Sequence, residues 1–247
     1  VADAETALAP PALSAPIDWR DLAGSPLRGR QAALLAGIAA LLAGVAALEA
    51  FAGAAGCVAF LPRTLLIVLI PGLMSDVARH AAAGFRDLEE WPDYSAPVGR
   101  LYELLLFAVV GILALSPAAW IGSVLGCAER VSARGGVGPV CVVGLAGGLW
   151  ASALLWPLPF AAAARGGRFG VALDFAGHLR RARAAPRALF ATATLGWAAM
   201  VLPVALRALL PAGALLGVLV EALPGAYGAL VAARAAGLLL ARTDASA

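Results

Sequence analysis

From Gln31 to Ala241 the chain alternates long apolar runs with short segments that hold most of its charge. A bilayer core about 30 Å thick is crossed by about 20 apolar residues in a helix, which satisfies its own backbone polar groups. By that measure the pattern predicts six transmembrane helices: Ala32–Ala54, Cys57–Val77, Tyr102–Gly126, Val137–Ala161, Ala188–Leu206 and Ala212–Ala233. Arg63 interrupts the second and Pro71 would kink it, so its alternative is a re-entrant or interfacial segment. The expected organisation is a mobile cytoplasmic tail over 1–31, a helical membrane domain over 32–241 and a short C-terminal tail over 242–247. The first segment, rich in Pro and Ala, has no apolar period and ends in an Ile17-Asp18-Trp19 anchor.

Composition sharpens this reading. The 247 residues are 62% hydrophobic and 13% charged, with a mean hydropathy of +0.89, against about 45–50% apolar and 25% charged in soluble domains. The expected fold class is an all-α, polytopic integral membrane helix bundle. All eighteen basic residues are Arg. Without Lys there is neither a Walker A phosphate-binding loop nor a Schiff-base nucleophile, which excludes P-loop ATPases and pyridoxal enzymes. Dominance of Ala, Gly, Leu and Arg suggests a GC-rich bacterial source, hence the cytoplasmic (inner) membrane. A net charge of +3 could suggest nucleic acid, but the arginines sit beside apolar runs, and no nucleic-acid partner is expected.

Arg placement sets the orientation, because short cytoplasmic loops carry the positive excess. With both termini inside, fourteen arginines fall on the cytoplasmic side and four outside: Arg63, Arg130, Arg134 and Arg207. Six of the fourteen, Arg165, Arg168, Arg180, Arg181, Arg183 and Arg187, share one loop with a single Asp. Within it Phe169, Leu173, Ala176 and Leu179 recur at helical spacing opposite Asp174, His178 and Arg181, which predicts an interfacial amphipathic helix over Arg168–Arg183. The six arginines are candidate contacts for anionic lipid headgroups; plain topology enforcement is the simpler role for them.

The other cytoplasmic loop, Ala78–Arg100, carries Asp87, Glu89, Glu90 and Asp93 around Trp91-Pro92-Asp93-Tyr94. Its carboxylates lack EF-hand spacing, so a solvated loop with Trp91 and Tyr94 at headgroup level is expected. Gly72, Arg79, Gly84, Leu88 and Trp91-Pro92-Asp93, with Ala172–Phe175, Arg180, Arg183 and Pro186 further on, resemble motifs of the domain-of-unknown-function family numbered four-zero-one-three, prokaryotic multi-pass membrane proteins. The matches spread over much of 60–240. The resemblance implies a helical membrane fold and nothing catalytic.

Ionisable groups at membrane depth are where function is first sought. Glu49, Glu103 and Glu221 qualify. Glu221, three residues before Pro224, would be protonated at rest if desolvated, and with Glu49 could line a cation path; the alternative is helix-interface packing or pairing with Arg63 or Arg207. Cys57, Cys127 and Cys141 all fall toward the outer face, where an oxidising compartment would permit a Cys127–Cys141 disulfide in place of buried free thiols. No zinc spacing occurs, and His80 and His178 lack a second ligand set for haem or a chlorin, so neither metal nor cofactor is expected. Catalytic serine or zinc-protease motifs are absent. Asp76, Arg79, His80 and Asp87 are the one polar set that lipid chemistry could use. Gly122/Gly126, Gly144/Gly148 and Gly213/Gly217 have the four-residue spacing that lets helices approach closely.

These readings converge on a non-enzymatic accessory or scaffold subunit that packs against other membrane proteins and anionic lipid. A small transporter or channel using intramembrane carboxylates is the rival.

Overall fold

Runs rich in Ala and Leu favour helix in spite of the glycines among them, and the computed structural model describes little else. It covers residues 17–52, 57–85, 97–126, 138–166, 169–209 and 214–245, and among these there is no strand. The helices are α1 (Trp19–Gly24), followed by a 3-10 turn at Ser25–Leu27, α2 (Gly29–Ala52), α3 (Cys57–Ala82), α4 (Pro97–Val124), α5 (Pro139–Leu155), α6 (Pro157–Gly166), α7 (Phe169–Ala172), α8 (Phe175–Ala184), α9 (Pro186–Leu209) and α10 (Ala214–Ala245).

Local chemistry sets several boundaries. The Asp18 carboxylate accepts the Arg20 and Asp21 amides and opens α1. Gly84 and Gly126 take φ of 88° and 60° just past α3 and α4, the left-handed conformation that ends a helix at little cost in glycine. Pro157 and Pro159 cannot donate to the carbonyls of Ala153 and Leu155, and the chain breaks at Trp156 between α5 and α6. Pro117 and Pro224 stay inside α4 and α10.

α10 is the axis of the fold. It packs on α9, α3, α2 and α6, while α4 pairs with α5, and α5 with α9. The main core joins Leu73, Val77 and Ala78 of α3, Phe160 to Ala164 of α6, and Leu230, Ala233, Ala236 and Leu240 of α10. Small residues permit this closeness. A Cβ built on Gly237 would lie 2.3 Å from the Ala78 carbonyl oxygen, and one on Gly148 would lie 2.7 Å from the Ala118 Cα. Gly122 and Gly144 likewise face Leu145 and Leu125 where α4 meets α5, so Gly144/Gly148 and Gly122 of the expected glycine pairs bring helices together within this chain. Gly213 lies outside the described residues, and Gly217 lies in α10 with its surroundings outside them.

Two described stretches are long and apolar enough to cross a membrane, Pro139–Gly166 with mean hydropathy 1.7 and Leu223–Asp244 with 1.4. The first is largely uncovered. On α4 and α5, Ile112 is 70% exposed, Trp120 69% and Val143 72%, forming an apolar flank larger than isolated surface residues explain.

Three boundaries differ from the sequence expectation. Residues 17–31, assigned to a mobile tail, instead form α1, the 3-10 turn and the start of α2; Ile17 and Leu22 bury against Val231 and Ala235 of α10. The last helix runs to Ala245, through the expected tail, because its end is held by Asp244. The amphipathic helix over Arg168–Arg183 is instead broken at Leu173 into α7 and α8; His178 and Gly177 are buried, whereas Leu173, Phe175 and Leu179 face outward. The cause is Asp174. Its carboxylate accepts the Gly177 amide at 2.9 Å, starting a new helix with a different facing.

Candidate functional site

Polar chemistry gathers at one end of the helices. Asp244, near the end of α10, accepts Arg165 Nη1 of α6 at 2.7 Å and Arg181 Nε of α8 at 2.8 Å. One carboxylate thus ties three helices. On α3, Arg79 donates through Nε to the Ala164 carbonyl at 3.0 Å and pairs with Asp76 at 3.3 Å, satisfying a carbonyl that the end of α6 leaves open. His80 Nδ1 lies 2.9 Å from the Asp76 carbonyl. This is a latch between α3 and α6, with geometry suited to holding helix ends together.

Deeper along α10, the Arg234 side chain is only 4% exposed and reaches Asp21 of α1 at 3.1 Å. Asp21 also pairs with Arg28, and the Tyr227 hydroxyl donates to the Ala23 carbonyl. A buried guanidinium without a carboxylate is costly, so α1 is coupled to α10 by charge as well as by Ile17 and Leu22. Neither Arg234 nor Asp21 stands out in the sequence: the first follows the last predicted span, and the second belongs to the predicted N-terminal tail. The signal that could have found them is Asp21 following the helix-opening Asp18 at three residues.

His178 is 7% exposed. Its Nε2 faces the Val171 and Ala172 carbonyls at 3.0 and 3.2 Å, so that nitrogen carries the proton, and Nδ1 finds no partner among the described residues. Burial pushes its pKa below the ordinary value, with the Arg181 charge acting the same way against the Ala172 and Val171 hydrogen bonds and Asp174. It works as a neutral clamp between α7 and α8.

Of the six arginines expected at lipid headgroups, Arg165 and Arg181 are engaged by Asp244, while Arg180, Arg183 and Arg187 are exposed. Arg168 lies outside the described residues. So do the side chains of Glu49, Glu103 and Glu221, together with Asp87, Glu89, Glu90, Trp91, Asp93, Tyr94 and Cys127. Asp76, Arg79 and His80 do come together at one turn of α3. Cys141, buried at the opposite end of α5, is disulfide-bonded. Among the described residues no group of His, Cys, Asp and Glu could hold a metal ion.

The arrangement defines an all-helical protein whose ion pairs and buried polar side chains collect at one end and whose flank is apolar. No family model, curated protein or solved structure matches the chain.

Proposed function

We propose that the protein is a six-span membrane protein of the bacterial cytoplasmic membrane, with both termini inside, acting without catalysis as an accessory or scaffold subunit. One observation carries this reading: the uncovered flank of Ile112, Trp120 and Val143 on α4 and α5 is apolar, while the ion pairs of Asp21, Asp76 and Asp244 lie on other helices, α1, α3 and α10. Lipid tails cover such a flank, and water and headgroups meet the charged end. The disulfide at Cys141 supports the orientation, since disulfides persist in oxidising compartments. Asp244, Arg79 and His178 spend their hydrogen bonds on joining helices, which suits a rigid support.

Native mass measurement of the protein extracted with its own lipids tests this. Co-purifying membrane subunits and reporter tags that place both termini inside are expected. A chain that stays monodisperse without detergent overturns the membrane reading. One that purifies alone and carries an ion flux abolished by Glu221→Gln overturns the scaffold reading.

A further inference from the structure

If a bilayer surrounds these helices, its depth is set by two elements that compete for the cytoplasmic boundary. α1 and its 3-10 turn rest on α10 at Val231 and Ala235, whereas Arg181 pins α8 to the same helix at Asp244. Position 233, midway between the first pair, precedes Asp244 by eleven residues, about 16 Å at 1.5 Å per residue. The headgroup layer of one leaflet is only about 5–8 Å thick, so one of the two elements lies outside it.

Placing the boundary at α8 drives the exposed charges of Asp18, Arg20, Arg28 and Arg30 into hydrocarbon. A boundary at α1 leaves Ala214–Ala233, about 30 Å long, as the last span. Gly237 lies beside Ala78, so the same plane crosses α3 near Met74. Asp76, Arg79, His80, Arg165, His178, Arg234 and Thr243 then fall on the aqueous side.

We infer that α1 and its 3-10 turn, not α8, form the surface that binds anionic lipid headgroups, with exposed Trp19 and Leu27 entering the boundary and Arg20 and Arg30 reaching phosphates. α6 to α8 and the last turns of α3 and α10 then make a cap standing about 16 Å into the aqueous phase. This rests on the membrane reading above.

The test uses the full chain in vesicles of phosphatidylglycerol and phosphatidylcholine, with or without brominated acyl chains. Five single variants carry the fluorophore: Trp19→dansylalanine, Leu27→dansylalanine, Phe175→dansylalanine, Leu179→dansylalanine and Val143→dansylalanine, all at exposed positions. Emission from 19 and 27 should fall about twofold in brominated lipid, while that from 175 and 179 should respond only to aqueous iodide. Bromolipid quenching at 175 and 179, with or without quenching at 19 and 27, overturns the depth assignment. The probe at 143 separates the two claims: if brominated lipid leaves it unchanged, the membrane reading fails and the inference falls with it.

Discussion

Replacing Gly237 with alanine should destabilise the protein, although alanine is the better helix former. The added Cβ would sit 2.3 Å from the Ala78 carbonyl oxygen, 2.8 Å from the Ala81 Cβ and 3.0 Å from the Ala78 carbonyl carbon. Two of these atoms are backbone, so no side chain can swing aside. An ordinary carbon–oxygen contact is about 3.3 Å or longer, so α3 and α10 must separate by about 1 Å. A gap of that size forfeits a quarter to a half of the dispersion energy of the contacts it opens, here those of Leu73, Val77 and Ala78 against Leu230, Ala233 and Leu240. Overpacking of this kind costs about 1–3 kcal/mol, and helix propensity returns up to about 1 kcal/mol. The net expectation is a loss of about 1–2 kcal/mol, roughly a 5- to 30-fold shift in the folding equilibrium. Gly147→Ala is the control, because nothing lies within 4 Å of its Cβ, and it should be neutral or stabilising by up to about 1 kcal/mol. Denaturant titration in mixed micelles, followed by tryptophan emission, measures both. A Gly237→Ala protein as stable as Gly147→Ala would refute the close approach of α3 and α10.

Asp21→Asn, which leaves the buried Arg234 without this carboxylate, should cost about 3 kcal/mol, and adding Arg234→Leu should recover most of it; limited proteolysis of the N-terminal segment reports the release of α1. Asp244→Asn should cost about 1 kcal/mol of stability in all, read as a modest drop in the thermal midpoint, because Arg165 and Arg181 are both partly exposed, and less in high salt. His178 has a depressed pKa in the folded state, so the unfolded chain binds more protons near and below 6.5; stability should be full above that pH and fall as pH drops through the folded value. A pH titration of the unfolding midpoint checks this, and His178→Leu should abolish that part of the slope. Cys141 should resist alkylation in the denatured chain until a reductant is added, because it is disulfide-bonded.

Helix content was legible because it follows from local composition: Ala and Leu have the highest helix propensities, so runs rich in them favour helix. Helix ends were less so, since a hydropathy window sees where apolar residues stop and not where hydrogen bonds do. α10 therefore continues twelve residues beyond Ala233, through Arg234 and Arg242, charges that a window reads as a boundary and that packing against α3, α6 and α8 tolerates. The same limit hid α1. Its six residues have too few apolar positions to make a period, and its stability comes from Arg234, more than two hundred residues away in the chain.

The candidate arginines show how little a count of charges says about sites. Arg165 and Arg187 belong to one cationic loop, and the orientation argument treats them alike. In three dimensions Arg165 closes on Asp244, a residue sequence reasoning had left in a tail, whereas Arg187 stays exposed at the start of α9. What separates them is the end of α10 arriving between α6 and α8, a long-range packing event. Asp174 shows the reverse case, in which one side chain overrides a pattern. The 3.6-residue period over 168–183 is real, yet a carboxylate capping Gly177 resets the helix and points His178 inward. The cap interrupts the run because it satisfies an amide that the new helix would otherwise leave bare.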